Sequence, residues 1–257
     1  MGGGTLNISL GSTAALAFGL LFTRVAGVIV ALPAMLGISM PIRVRLLLAL
    51  VLTAALMPAA TVAMPKVAGL PAVAILVVRE LAVGVALSFA GAVVVGAVTI
   101  AGDLLGSNME LSNGAILRGP VLMPNSLADG LGTMAGLLFF IGGFQRGLLI
   151  ALGQSLSVAP LGELGMPNPG GMLEIGGRVF SIAFELALPL LVPLFVLSLA
   201  QGVIARLAPQ INILIAAPSA IVMAGLVLLG LDAAGLTAGI ISAWSSVMAA
   251  MVGWSHG

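Results

Sequence analysis

Asp, Glu, Lys and Arg fall so far apart along this chain that four stretches, 46–65, 81–102, 186–205 and 207–231, contain none of them. Each run is close to the roughly 20 residues that a helix needs to cross a hydrocarbon core. Backbone polar groups in lipid must be satisfied internally, so apolar runs of this length predict helices. Barrel strands are about half as long and alternate polar with apolar positions, and nothing here alternates. Six apolar segments follow: about 13–36, ending at Pro33 and Gly37; about 44–63; about 72–105; about 131–156; about 174–206; and about 211–230 with a further apolar stretch to 252. A short link around Pro41, a turn at Met64-Pro65-Lys66, a polar loop over 106–130 and a proline-bearing loop over 157–173 separate them. The pattern predicts an all-α integral membrane protein of about six long apolar helices arranged as hairpins.

Two features modulate those helices. Gly84, Ser88, Ala92 and Gly96 recur at four-residue spacing and form a small-residue ridge suited to close helix contact. Gly132 and Gly136 repeat the spacing in the fourth segment. The fifth segment carries Pro189 and Pro193, each of which removes a backbone donor and is expected to kink the helix. Such breaks line a cavity in transporters; a helix bent to fit a curved assembly is the other reading.

Composition agrees. Charged residues make up 7% of the chain and hydrophobic ones 61%, against about a quarter charged in a soluble domain. No segment has the charge density of a soluble domain, so residues 1–257 read as one membrane domain. With no Cys and a single His, His256, thiolate chemistry and a histidine metal or catalytic constellation are excluded, and no cofactor is expected. A net charge of +1 offers no basic patch for nucleic acid. The first basic residue, Arg24, follows rather than precedes an apolar start, so the first segment reads as a retained span and not a leader. Arg43, Arg45, Arg118 and Arg206 lie in alternate loops, against Lys66 and Arg178 on the other side, which favours the first set as cytoplasmic.

Six charges, Arg24, Arg79, Glu80, Arg146, Glu185 and Asp232, fall within or at the edge of apolar segments. A charge at bilayer centre costs about 3 kcal/mol or more, so each needs a reason. They line a lumen or proton relay, or they form ion pairs between helices or snorkel to the interface. Arg79 and Glu80 are adjacent and point to different helix faces, so they need not pair with each other. The turn holding Arg206, Pro209, Gln210 and Asn212 is the most polar link between two strongly apolar helices. The loop 106–130 mixes Met, Leu and Ile with Gly, Asn and Pro, as a loop folded back into a cavity would.

Four stretches carry a resemblance: 23–52, with Arg24 and the Pro-x-Arg-x-Arg link at 41–45; 79–112; the loop continuing to Pro120 and Met123-Pro124; and LALPLLVPLFVLSLAQGVIARLAPQINILIAAP at 186–218. Together they resemble the flagellar biosynthesis protein FliR family and its injectisome relatives, the T-type export apparatus proteins. The resemblance implies a type III secretion export gate in the bacterial inner membrane, within the flagellar basal body. It implies FliP and FliQ subunits and a FlhB-type subunit as partners, unfolded exported proteins as cargo, and contact with membrane lipid. It also implies a FliP-like part over 1–156 and a FliQ-like part over 157–257. The turn at Arg206, Pro209, Gln210 and Asn212 would face the cytoplasmic entrance. Asn108, Met109, Glu110, Leu111, Ser112, Ile116, Leu117, Arg118, Pro120 and Met123 would belong to a plug that closes the channel. Family plugs read Gln-Met-Gly-Leu-Ser, and Glu110 departs from that; Gly119-Pro120 stands for an Asp-Pro, and Ala216-Ala217-Pro218 for a Gly-Phe-Pro.

Three function classes follow. The leading one is a structural and gating channel subunit, not an enzyme. Its rival is a proton- or ion-coupled secondary transporter using Glu185, Pro189, Pro193 and Asp232, although no internal repeat of the transporter kind is visible. An intramembrane enzyme has neither a Gly-x-Ser-x-Gly motif nor a His–Glu metal pattern to support it.

Overall fold

The computed structural model describes residues 4–36, 40–60, 70–109, 126–163, 170–207 and 213–254. They form eight α-helices: α1 (Gly4–Leu36), α2 (Ile42–Leu56), α3 (Leu70–Asn108), α4 (Ser126–Ile141), α5 (Phe144–Val158), α6 (Gly170–Leu207), α7 (Ile213–Leu231) and α8 (Ala233–Trp254). A single 3-10 turn, Met57–Ala59, ends α2, with Pro58 inside it. The all-helical expectation therefore holds for the described residues. The six-segment count does not map onto them directly. Four helices are long and apolar enough to cross a membrane, or five if α4 and α5 together make one span.

The fourth segment is corrected most. Read as one helix over about 131–156, it is two, α4 and α5. The break falls at Gly142-Gly143, where Gly143 adopts φ +72. That left-handed conformation is open to glycine and strained for other residues. The last segment is likewise divided, with Asp232 standing between α7 and α8. There the hydrogen bonding continues, since Asp232 N donates to Leu228 O at 2.9 Å and Leu236 N to Asp232 O at 2.9 Å. Neither Pro189 nor Pro193 ends α6.

Helix length agrees with the long third and fifth segments, about 72–105 and 174–206. α3 has 39 residues and α6 has 38. At about 1.5 Å per residue each is roughly 57 Å long, nearly twice a hydrocarbon core of about 30 Å. Each is longer than one perpendicular crossing needs.

The chain divides into two compact units, both discontinuous in sequence. The first takes residues 1–92, 143–176 and 246–257; the second takes 93–142 and 177–245. In the first unit, α1 lies against α2 and crosses α3 closely. A Cβ added at Gly27 would stand 2.8 Å from the Leu81 carbonyl oxygen, and one at Gly84 would overlap the Arg24 carbonyl oxygen. Ser88 Oγ, one turn on, donates to Val85 O at 2.8 Å and reaches Gly27 O at 3.5 Å. The small-residue ridge thus works at Gly84 and Ser88, where two backbones meet. It does not extend to Gly96, where an added Cβ would meet nothing within 4 Å.

In the second unit, Trp244 of α8 is fully buried. Its Nε1 donates to Ala135 O of α4 at 3.2 Å, and its ring lies 4.9 Å from that of Phe139 at 52°. Gly132 of α4 faces Thr99 of α3, whose Oγ1 would stand 3.1 Å from an added Cβ. Gly102 of α3 allows a still closer approach of Ala128, whose Cα would be 2.6 Å from an added Cβ.

Candidate functional site: a buried charge cluster, a cavity and a loop anchor

The close crossing at Gly27 and Gly84 places two charges in the interior of the first unit. Arg24 lies one turn from Gly27 and Glu80 one turn from Gly84, and neither has any exposed surface. Arg24 Nε and Nη2 both meet Glu80 Oε2 at 2.5 Å. Arg79 Nη1 donates to the other carboxylate oxygen, Oε1, at 2.8 Å. Glu80 is therefore shared between two guanidinium groups. Arg79 and Glu80, which their adjacent places on the helix do not oblige to pair, do pair. Their Cα–Cβ directions do diverge around the helix, but the long arginine side chain folds back across that gap in a site closed to water.

Carbonyl oxygens also accept from the two guanidinium groups. Arg24 Nη1 donates to Ser155 O at 2.9 Å and Ser155 Oγ at 3.2 Å, and Nη2 donates to Ala159 O at 2.7 Å. Arg79 Nη1 also reaches Pro160 O at 3.2 Å. Ser155 belongs to the last turn of α5, whose carbonyls have few intrahelical donors and carry the negative end of the helix dipole. A guanidinium with five fixed donors suits that end better than an ammonium would. The cluster thus ties α1, α3 and the end of α5 together with residues 159–160. Ser155, Ala159 and Pro160 were not singled out from the sequence, because backbone carbonyls carry no residue-type signal. The one available hint was Pro160, closing a helix just where an arginine partner was needed.

Other expected site residues lie elsewhere. Arg146 is exposed in the first turn of α5, its N–H donating to Gly143 O at 3.0 Å. In the second unit, Glu185 and Pro189 of α6 meet Asp232 and Gly235 around a cavity of about 120 Å³, completed by Leu186, Leu236 and Gly239. Glu185 is exposed and Asp232 half-buried. Pro189 cannot donate to the carbonyl four residues back, so the Glu185 carbonyl loses its helical partner beside this cavity. Pro193, one turn further, does not line it. Among the described residues no group of three His, Cys, Asp or Glu is placed to hold a metal ion.

Of the loop residues expected to form a plug, Asn108 and Met109 are described. Asn108 Nδ2 donates to Leu104 O at 2.8 Å and Met109 N to Leu105 O at 2.9 Å. Met109 is fully buried. A Cβ added to Gly225 of α7 would stand 2.7 Å from its Sδ, so the missing side chain at Gly225 makes room for the thioether. Glu110, Leu111, Ser112, Ile116, Leu117, Arg118, Pro120 and Met123 lie outside the described residues. So do Pro209, Gln210 and Asn212, while Arg206 is exposed in the last turn of α6.

The family described as bacterial export proteins, family 1, matches residues 15–248. The chain belongs to that family. Among the relatives of this chain, the flagellar biosynthetic protein FliR of Escherichia coli (strain K12) is 32% identical over 198 residues, 75% of this chain and 74% of that protein. FliR of Pectobacterium carotovorum subsp. carotovorum is 28% identical over 160 residues, 61% of each chain. The resemblance to FliR drawn from the four sequence stretches is borne out. The buried Arg24–Glu80–Arg79 cluster joins α1, α3 and the end of α5.

Proposed function

We propose that this chain is a structural and gating subunit of the flagellar type III protein export gate in the bacterial inner membrane. The carrying observation is the family match over 15–248, joined by two relatives named as flagellar biosynthetic proteins. In this reading the chain assembles with FliP-, FliQ- and FlhB-type subunits, residues 1–156 acting as the FliP-like part and 157–257 as the FliQ-like part. Unfolded proteins are the cargo. The roughly 57 Å helices α3 and α6 support an assembly that extends beyond one bilayer thickness. The loop that leaves α3 at Met109 is the plug, and Met109 seated against Gly225 is its fixed end. Arg206 and the residues after it face the cytoplasmic entrance. Gating is displacement of the part of 106–123 that lies beyond Met109, with no covalent chemistry.

The test is ion leak across the assembled gate in vesicles. Deleting residues 106–123 should raise it, and unchanged leak would remove the plug from the mechanism. Native mass measurement after mild extraction should give a large hetero-complex with this chain in one copy; a monomer or small homo-oligomer would sink the assembly. One observation favours a second reading, a proton- or ion-coupled transporter: Glu185, Pro189 and Asp232 meet at one cavity. Under that reading Glu185→Gln with Asp232→Asn abolishes ion-coupled uptake, whereas a gate subunit shows no such uptake to lose.

A further inference from the structure

α2 is built the wrong way round for a helix covered by water. Its inward stripe runs through Arg45, Leu48, Ala49, Leu52, Thr53 and Leu56, at the three- and four-residue spacing of one helix face. Only Ala49 and Thr53 on it are buried. Thr53 satisfies its own hydroxyl within the helix, donating to Ala49 O at 2.7 Å. The outward face is the more apolar one: Leu47 is 64% exposed and Val51 61%, with Leu46 and Leu50 beside them about half exposed. A soluble amphipathic helix shows the opposite order.

Length and charge identify what covers that face. α2 and its 3-10 turn run from Ile42 to Ala59, 18 residues, or roughly 28 Å at helical rise. That is one hydrocarbon thickness, unlike α3 and α6. Two arginines stand at one end and none at the other. Arg43 is exposed and makes no hydrogen bond or ion pair among the described residues. Arg45 Nε donates to Met40 O at 3.0 Å, which holds that side chain back toward the start of the helix. Guanidinium groups at the head of an apolar surface match phosphate at the head of an acyl chain. We propose that α2 is a lipid-seated helix whose outward face packs on acyl chains, while Arg43 and Arg45 select anionic phospholipid at one leaflet. This surface does not depend on the export reading, because it follows from α2 alone.

The chain has no cysteine, so one can be introduced and labelled uniquely. Leu47→Cys and Leu50→Cys, each carrying a fluorophore, are placed in the full chain extracted with its bound subunits. The complex is reconstituted in vesicles of phosphatidylcholine and phosphatidylglycerol, with one or the other brominated as a quencher. Strong quenching at both sites is expected from either lipid. Near the arginines, at Val44→Cys, the phosphatidylglycerol-to-phosphatidylcholine ratio reported by quenching should exceed the bulk ratio by roughly fivefold per arginine. Arg43→Gln with Arg45→Gln should erase that preference and leave acyl quenching at 47 and 50 intact. The double lysine variant should keep it, which separates charge selection from misfolding. Weak quenching at 47 and 50 would mean that protein covers α2 and would overturn the proposal. Equal quenching by the two lipids at Val44→Cys would overturn it as well. Ion leak and complex mass report separately on the export reading, so the two fail independently.

Discussion

Replacing Glu80 by glutamine tests the buried cluster most sharply. The side chain keeps its volume, but the two guanidinium groups of Arg24 and Arg79 lose their common anion. Arg24 is fully buried and Arg79 only 3% exposed, so water cannot take the place of the carboxylate. Removing one partner of such a pair costs about 3–5 kcal/mol, because the charge left behind stays desolvated. Here two like charges remain, held by contacts to a single Glu80 side chain at 2.5 and 2.8 Å, which argues for the upper part of that range. The carbonyls of Ser155, Ala159 and Pro160 soften the loss without carrying a full negative charge. Unfolding of the detergent-extracted chain, followed by loss of helical ellipticity against denaturant, gives the number. A double-mutant cycle with Arg24→Met should show coupling of about 2 kcal/mol or more between positions 24 and 80. A loss under about 1 kcal/mol for Glu80→Gln, with coupling near zero, is the behaviour of a solvated surface pair and would refute a closed cluster.

Three further outcomes follow from packing. Gly84→Ala should destabilise by about 2 kcal/mol or more, since its new methyl overlaps the Arg24 backbone; Gly96→Ala, in open space on the same helix, should stabilise by about 0.5–1 kcal/mol, and the same denaturation assay ranks the two. Trp244→Phe gives up the bond from Nε1 to Ala135 O and leaves that interior underfilled, for a loss of about 1–3 kcal/mol in that assay. Gly225→Leu should displace the Met109 side chain, and vesicle leak should rise if Met109 anchors the plug; Gly225→Ala, which the flexible thioether can escape, should change leak much less.

The sequence by itself determined that the chain is helical and membrane-bound, because long charge-free runs leave an unpaired backbone no other solution in lipid. It also determined the family, through motifs that cover nearly the whole chain, and it marked Arg24, Arg79 and Glu80 as charges in need of partners. Which partner each one takes was decided only by the tertiary structure. The first turn of that decision is Gly27 against Gly84, a contact between residues far apart in the chain whose closeness no local pattern encodes. That crossing puts Arg24 on Glu80, and the end of α5 then supplies carbonyls to both arginines. The break at Gly142-Gly143 escaped for a similar reason: glycine in an apolar run fits a packed helix as well as a turn, and only the φ of Gly143 separates them. The charge-free runs thus record that these helices avoid water. What each face meets instead, another helix or lipid, is a property of the packed molecule, since apolar side chains suit both.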